Sequence, residues 1–352
     1  MIEPRHLASY NWIEAKTPTI VVPGLPPVWC GYKTSRYVKK DSGMVYTAQN
    51  AARHPESPLE PLFRTVYIED PSFDISSVDV ISDRYNIRRL LSFIAPSSNA
   101  HDVKDFSMGL ELVYGTAILH REDEKTQEFI GPDEFRGHGH SFGKAYTHNK
   151  IPLSTGHQRV VSYRLGSLRL VIHHKTNGYV DDSVSTPTEE SAADKDSSLL
   201  ESMSISQPTI TEGTTPPASK LTVLRGGQSI PLESTLEIKT RVHHKPLKIA
   251  DAAPQLWLSQ TPRLVRAYHK NSVFSAPVVE DVSINLRSWE RKNQETVGRL
   301  LALLASIIAK GKQHGHASIR YSASKDRLDV YECAAVKMFP EDLYQKWKKD
   351  GK

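Results

Sequence analysis

Apolar residues recur along the chain at two spacings, and each spacing predicts one kind of element. Alternation with a period of two, in stretches rich in β-branched residues, is typical of strands. A spacing of three and four residues places apolar side chains on one face and is typical of helices. The mixture predicts an α+β fold, a mixed twisted β-sheet with flanking helices. The predicted strands lie within 106–119, 159–165, 168–177, 234–242, 264–269, 319–321 and 328–332, and the predicted helices are 83–94, 250–260, 289–310 and 339–348.

Turn and cap residues mark several ends of these elements. Gly166 and Ser167 separate two strand patterns and predict a hairpin. Asp83 precedes a helical pattern and is a typical N-cap, because its carboxylate can accept a hydrogen bond from a free backbone N–H group. Gly311 follows the longest apolar stripe and is predicted to end that helix.

The content of proline, serine and threonine indicates how the chain is organised. Residues 15–29 are proline-rich and are predicted to wrap a surface rather than to join a sheet. Residues 183–220 have too few apolar side chains to offset the entropy of ordering, which predicts a disordered insertion. The predicted organisation is an extended N-terminal segment packed on the core at 1–60, one α+β domain at 61–182 and 221–338, the insertion at 183–220, and a C-terminal helix at 339–352.

Composition narrows the class of protein. The 352 residues are 38% hydrophobic and 24% charged, with a formal net charge of +5, which is compatible with a polyanionic partner. The two cysteines, Cys30 and Cys333, suit a reducing compartment. The longest apolar stretch, 300–309, is about half the length of a membrane span, and the N-terminus lacks a signal-peptide core. We expect a nuclear or cytoplasmic protein without a membrane segment.

Glu237 and Lys239 are the most informative pair of residues. They are two positions apart on a predicted strand, so their side chains project from the same face. A carboxylate and an ammonium group placed in this way can hold a divalent cation and orient a water molecule against a phosphodiester. The structural alternative is a solvated pair of charges on an exposed strand.

A series of short motifs surrounds this strand in a fixed order. An arginine opens the helix that ends in Arg-Leu-Leu, a Gly-Thr strand pair follows, and a Gly-x-x-Phe motif comes next. A strand end with two polar positions precedes Glu237, and a Trp-x-x-Gln motif follows Lys239. The residues at these positions are Arg84, Gly115, Thr116, Gly139, Phe142, Gly143, Lys175, Asn177, Trp257 and Gln260.

The ordered set, which spans about 60–335, resembles the DXO-type decapping-nuclease family, whose core is PD-(D/E)xK-like. The resemblance implies a remnant catalytic centre at Glu237, Lys239 and Gln260. It also places Arg84 where the family begins its site. The segments 10–15 and 50–62 are similar to a group of uncharacterised filamentous-fungal proteins.

The chain departs from the family at the positions that bind metal. Gly143 and Lys175 stand where the family has glutamate, and Asn177 stands where it has aspartate. Only Glu237 remains of four acids. With the lysine of the motif included, the charge changes from −3 (four acids, one base) to +1 (one acid, two bases), counting His173 as neutral. Two Mg²⁺ or Mn²⁺ ions need several hard oxygen ligands, so Glu237 alone is a poor metal site.

The leading hypothesis is a decapping-nuclease-like protein with a degraded metal site. Arg84, Lys175, Asn177 and His173 are expected to line a pocket that binds phosphate, and therefore the 5′ end of an RNA or a nucleotide, with little or no hydrolysis. The chain thus has hydrolase ancestry with impaired or absent activity. No cofactor is predicted apart from Mg²⁺ or Mn²⁺ if hydrolysis remains.

Two alternatives stay open. The first is an active decapping enzyme or exonuclease with a rebuilt site, in which Asp181 or Asp182 supplies the missing acid because the strand before them is read in the wrong register. The second is a protein-interaction scaffold on a nuclease fold, in which the segment 183–220 recruits a protein partner.

Overall fold

The computed structural model describes residues 1–96, 104–182, 210–216 and 219–348. Most of the predicted disordered insertion, residues 183–209, and the last residues of the predicted C-terminal helix, 349–352, lie outside the described residues. No helix in the described part of the chain is both long and apolar enough to cross a membrane.

Strands outnumber helices, and helical segments separate groups of strands. The helices are α1 (Gln49–Arg53), α2 (Glu60–Glu69), α3 (Arg84–Ile94), α4 (Gly139–Tyr146), α5 (Ile249–Ser259), α6 (Ser283–Lys292), α7 (Gln294–His314) and α8 (Glu341–Tyr344). The strands of the first half are β1 (Ile2–Ile13), β2 (Thr19–Val22), β3 (Val28–Trp29), β4 (Arg36–Tyr37), β5 (Gly43–Tyr46), β6 (Val80–Asp83), β7 (Phe106–Val113), β8 (Thr116–Arg121), β9 (Gln127–Ile130), β10 (Thr147–His148), β11 (Ser154–Leu165) and β12 (Leu168–Thr176). The strands of the second half are β13 (Gly178–Tyr179), β14 (Thr211–Thr214), β15 (Thr222–Arg225), β16 (Thr235–Val242), β17 (Arg263–Lys270), β18 (Val273–Phe274), β19 (Val279–Asp281), β20 (His316–Ser322) and β21 (Arg327–Glu332).

Within the described residues, eleven strands form a large mixed sheet in the order β14-β15-β2-β1-β11-β12-β6-β8-β7-β20-β21. Its centre is parallel, since β6 runs parallel to both β12 and β8. A hairpin feeds this centre, because β11 pairs antiparallel with β12. The carboxyl ends of the three parallel strands therefore meet at one edge of the sheet, which is where open α/β sheets bind ligands.

Apolar side chains cover both faces of the large sheet. On one face α3, α5 and α7 pack their buried residues, among them Leu90, Trp257 and Leu300, against the sheet. On the other face α2 and the C-terminal segment contribute Phe63 and Trp347. Burial of each such side chain stabilises the fold by about 1.5–3 kcal/mol before the entropy of ordering is subtracted. This double packing fixes the edge at which α3 begins.

A second sheet continues from the end of the first. It has the order β10-β3-β13-β16-β17-β18-β4, and β19 pairs with β17. Strand β12 ends in the large sheet, and Asn177 then leads directly into β13 of the second sheet. The Asn177 side-chain oxygen accepts a hydrogen bond from the backbone N–H of Ile238 in β16 at 2.9 Å. One amide thus ties the two sheets together beside Glu237.

The predicted fold class is confirmed, and most predicted elements near the site form. The hairpin turns at Gly166 and Ser167, and strand β16 covers Thr235–Val242. Asp83 caps α3, since its carboxylate accepts a hydrogen bond from the Tyr85 backbone N–H at 2.8 Å. Arg84 is therefore the first helical residue and lies at the edge where the parallel strands end.

Two segments are more ordered than the sequence predicts. Residues 15–29 were expected to wrap a surface, but Thr19–Val22 is a buried strand between β1 and β15. Prolines lie outside this strand, at 18 and 23, so they interrupt no hydrogen bond within it. Thr211–Thr214 falls in the predicted disordered insertion and forms an edge strand with β15.

The predicted helix 289–310 is divided into two. Helix α6 ends at Lys292, and α7 begins at Gln294 after Asn293 leaves helical geometry with a φ of −113°. Helix α7 also continues past Gly311 to His314. Gly311 faces the sheet, where a Cβ atom would approach a Leu110 side-chain carbon to 3.3 Å. This glycine allows close packing of helix on sheet and does not end the helix.

Candidate functional site

The site is built around the carboxylate of Glu237, near the start of β16. Glu237 is 4% exposed. One carboxylate oxygen, Oε1, accepts a hydrogen bond from Gln255 Nε2 at 2.7 Å and lies 3.1 Å from Lys239 Nζ. The other oxygen, Oε2, is 3.5 Å from Arg84 Nη1. Both oxygens are therefore engaged by neighbouring side chains.

A second set of hydrogen bonds holds these donors in place. Gln255 Oε1 accepts from Lys239 Nζ at 2.8 Å and from Arg88 Nη1 at 3.2 Å. Arg84 Nη1 also donates to Ser259 Oγ at 3.2 Å. Gln255 and Ser259 are one helical turn apart on α5, so both side chains lie on the face of the helix that meets the start of β16. The network links α3, α5 and β16 into one polar centre.

The cations determine the protonation of Glu237. Burial alone raises the pKa of a carboxylic acid, because the charged form loses hydration. At Glu237 the charges of Lys239 and Arg84 outweigh burial, and its pKa lies below the usual value. The carboxylate is ionised and already neutralised by direct contacts with protein cations.

Lys175 lies at the end of β12, exposed to solvent in the cleft beside Glu237. The surrounding protein removes part of its hydration and lowers its pKa, Lys144 adds to this shift, and Glu237 opposes it. Gly143 lies on α4, where a Cβ atom would have no described neighbour within 4 Å. The three positions at which the sequence comparison expected missing acids thus hold the ammonium group of Lys175, open space at Gly143 and the amide of Asn177, which bonds β16.

A cavity of about 230 Å³ adjoins this centre at the carboxyl ends of β12, β6 and β8. Basic side chains predominate among the charged groups in its wall, which include Arg84, Arg121 and Lys175. His173 also lines it and is buried, with Nε2 3.0 Å from the Tyr10 hydroxyl. The amino-terminal end of α3 faces the same edge, where the Asp83 carboxylate caps it.

The donor set does not fit a pair of hard divalent cations. Among the described residues, no group of three or more His, Cys, Asp or Glu side chains is arranged to hold a metal ion. The acids proposed for a shifted register have other contacts. Asp181 Oδ2 lies 3.5 Å from Lys150 Nζ, and Asp182 accepts two hydrogen bonds from Arg263 at 2.9 and 2.6 Å.

The structure brings together most of the residues singled out from the sequence. The exception is Gln260, because a different glutamine, Gln255, contacts Glu237. Gln260 is the residue after α5, in the left-handed region with a φ of 51°, and its amide donates to the Trp257 carbonyl of its own helix. Gln255, five positions earlier, contacts Glu237 instead. The Trp-x-x-Gln spacing led to Gln260. Identifying Gln255 from the sequence would have required knowing which face of α5 packs against β16.

Comparison with known proteins agrees with this architecture. The model of the family described as "Domain of unknown function (DUF8563)" matches residues 4–347. Candida albicans Rai1 in complex with pU5-Mn²⁺ is similar in structure, with a TM-score of 0.55 at 10% identity over 98% of this chain and 96% of that chain. S. pombe Rai1 in complex with 3′-FADP has a TM-score of 0.53 at 13% identity, covering 94% of each chain. K. lactis Dxo1 in complex with manganese has a TM-score of 0.51 at 8% identity, over 96% of this chain and 91% of that one.

At these identities the likenesses show the fold alone. No curated protein sequence matches the chain. The argument about chemistry therefore depends on the residues at the site.

Proposed function

Because the chain belongs to the DUF8563 family and has the fold of the Rai1 and Dxo1 nucleases, we propose that its cleft binds the phosphorylated 5′ end of an RNA or a nucleotide, with little or no hydrolysis. In this proposal Arg84 and Lys175 contact the phosphate. Glu237 holds Arg84 and Lys239 in position rather than holding a metal.

The observation that carries the proposal is the balance of charge around Glu237. Around the cleft, the positive charges of Arg84, Arg88, Lys239 and Lys175 face the negative charges of Glu237 and Asp83, so four minus two leave an excess of two. A phosphate group supplies the negative charge that this arrangement lacks, and guanidinium groups match its geometry. Rai1 proteins bound to 3′-FADP and to pU5-Mn²⁺ share the fold, which supports a nucleotide or RNA as the ligand.

The same excess of positive charge argues against efficient metal-dependent hydrolysis. Two unit charges about 4 Å apart repel by about 4 kcal/mol at an effective dielectric constant near 20, and a dication doubles this. A metal ion at Glu237 has to displace Lys239 or Arg84 from the carboxylate. Binding of an anion requires no such displacement.

The binding experiment compares 5′-phosphorylated and 5′-hydroxyl pentauridylate by fluorescence anisotropy. We expect the phosphorylated form to bind roughly tenfold more tightly, since a hydrogen bond to a charged group contributes about 1.5–3 kcal/mol. Arg84→Gln is expected to abolish this preference. The matched control is Arg291→Gln, on the exposed surface of α6, which should leave it unchanged.

The hydrolysis experiment uses the same labelled RNA with 1:1 protein and excess Mn²⁺. We expect the RNA to remain intact in the wild type. Efficient cleavage that disappears in Glu237→Gln would refute the proposal of little or no hydrolysis and would support an active, rebuilt site.

A further inference from the structure

A group of exposed lysines lies beyond the cleft, at the end of the second sheet. We call Lys39, Lys40, Lys144, Lys245 and Lys270 the basic band. No residue of the band has a salt bridge with an acidic side chain of the described residues. Unpaired lysines that repel one another favour a polyanionic partner.

Backbone and ring contacts hold the segments of the band together. His138 Nδ1 lies 3.1 Å from the Lys39 carbonyl oxygen, and the His138 and His269 rings are 4.5 Å apart. His269 precedes Lys270, and its carbonyl accepts a hydrogen bond from the His243 N–H at 2.9 Å. The segments before α4, after β16 and at the end of β17 thus form one continuous surface.

Helix α4 joins this surface to the cleft. Lys144 is close enough to Lys175 to contribute to the lowering of its pKa. His140, on the first turn of α4, has a pKa lowered by loss of hydration and by both of these lysines. Helix α4 thus lies between the lysines of the cleft and those of the basic band, and the acid among them is Asp41, which accepts hydrogen bonds from the His140 and Ser141 N–H groups at 3.2 and 2.8 Å.

An exposed aromatic ring lies on the same path. Phe135 is 66% exposed, and its ring centroid is 5.7 Å from that of His138. Asp133 and Glu134 precede it in the sequence, and Arg136, which follows it, lies 2.9 Å from Glu128 and 3.5 Å from Glu134. His138 links this ring to the Lys39 backbone, and an exposed aromatic ring on a surface with unpaired lysines can bind single-stranded nucleic acid by stacking and by phosphate contacts.

We infer that the basic band, with Phe135, carries the body of a single-stranded RNA whose 5′ phosphate lies in the cleft. This inference rests on the proposed function for the direction of the strand. It adds a surface outside the cleft and predicts that affinity increases with RNA length. An acidic protein segment is the competing occupant.

The experiment measures binding of 5′-phosphorylated U2 and U12 to the full chain by anisotropy at several salt concentrations. We expect U12 to bind more tightly than U2 in the wild type. The triple variant Lys39→Glu, Lys40→Glu, Lys270→Glu should weaken U12 binding by roughly tenfold or more and leave U2 unchanged. Loss of three phosphate contacts should also reduce the salt slope by about 2, at ~0.7 per contact for single strands.

The matched control reverses three other exposed lysines, Lys310, Lys312 and Lys325, and should leave the affinity for U12 unchanged. Phe135→Ala is expected to weaken U12 binding by about fivefold or more, the loss of one stacked base. This variant removes an exposed side chain, so folding should not be affected.

The outcomes separate the two proposals. If wild-type U12 binds no more tightly than U2, the band carries no RNA, while the preference for a 5′ phosphate can still hold. If length dependence is present but no preference for a 5′ phosphate exists, the proposed function fails and the band remains. If polyglutamate competes as well as U12 and Phe135→Ala has no effect on U12, the band is a protein-binding surface and the inference is wrong.

Discussion

Two largely buried carboxylates, Glu237 at the start of β16 and Glu69 at the end of α2, are each influenced by an arginine, and their pKa values move in opposite directions. Glu237 contacts Arg84 and Lys239 directly, and its pKa is lowered. Glu69 accepts a hydrogen bond from the Ser9 N–H at 2.6 Å, but burial raises its pKa to about 7. His6 Nε2 lies 4.0 Å from Glu69, but burial lowers the pKa of His6 to about 3 and that imidazole is neutral at pH 7. Glu237 therefore differs from Glu69 in having direct contact with charged groups of opposite sign.

The arginine near Glu69 is too far from it to form a salt bridge. Arg159 is fully buried and donates one hydrogen bond, from Nη2 to the Ile230 carbonyl at 2.6 Å. Its Nε and Nη1 atoms have no hydrogen-bond partner among the described residues. Burial lowers the pKa of Arg159 to about 10, although Glu69 and Glu233 oppose this. The attraction between Glu69 and Arg159, which are not in contact, does not offset the free-energy cost of burying either charge.

The largest effect is expected at Glu237. Glu237→Gln removes a buried carboxylate and leaves the partly exposed Arg84 and Lys239 without their negative partner, so the free energy of unfolding should fall by about 3 kcal/mol at pH 7. Urea denaturation measures this. Phosphate at high concentration should restore part of the loss, because it binds the freed cations. A variant as stable as the wild type would show that the carboxylate is not what balances the site.

An opposite and smaller effect is expected at Glu69. Glu69→Gln removes an acid that the fold holds toward its neutral form, so at pH 8 the free energy of unfolding should rise by about 2 kcal/mol, after allowance for the part of the side chain that still meets water. The same denaturation measurement applies. A loss of stability would mean that the ionised form is the one the fold stabilises.

The stability of the protein should depend on pH in opposite directions at Glu69 and Glu237, because folding raises the pKa of Glu69 and lowers that of Glu237. For Glu69 the folded pKa is raised, so between about pH 4.5 and 7 the unfolded chain releases its proton first and the folded state loses stability. The advantage of Glu69→Gln should therefore grow across this window. For Glu237 the folded pKa is lowered, so the stabilisation by the wild-type carboxylate is present above the ordinary carboxyl pKa and is lost below about pH 4.

The smallest effect is expected at Arg159. Arg159→Met keeps the apolar stem and removes a buried charge that lacks full hydrogen bonding, so stability should change by less than about 1 kcal/mol. Thermal and urea unfolding at pH 8 test this together. A loss of more than about 3 kcal/mol would show that neighbouring groups stabilise the Arg159 guanidinium as strongly as Arg84 and Lys239 stabilise Glu237.

Local pattern predicted the parts of the site that lie on single elements. A period of two placed Glu237 and Lys239 on one face of a strand, and their side chains are 3.1 Å apart. The cap at Asp83 placed Arg84 at the start of a helix, and it is there. Both are consequences of backbone geometry over a few residues, which a sequence displays directly.

Contacts between distant elements could not be predicted in the same way. Gln255 contacts Glu237 because α5 packs beside β16. The spacing of residues in the sequence does not indicate which face of α5 packs against that strand. Arg159 begins the predicted strand 159–165, and that pattern gives no sign of its burial; β1 pairs with β11 opposite it, and the side chain is fully buried. Burial of a polar residue depends on the neighbouring strand, which comes from a different part of the chain.

The open space at Gly143 has a consequence for how this protein can change. A glutamate there would meet no described atom with its Cβ, and an aspartate at 177 could still accept the Ile238 N–H with a carboxylate oxygen. Acidic side chains can therefore be accommodated at two of these three positions, and the third position is held by the exposed Lys175.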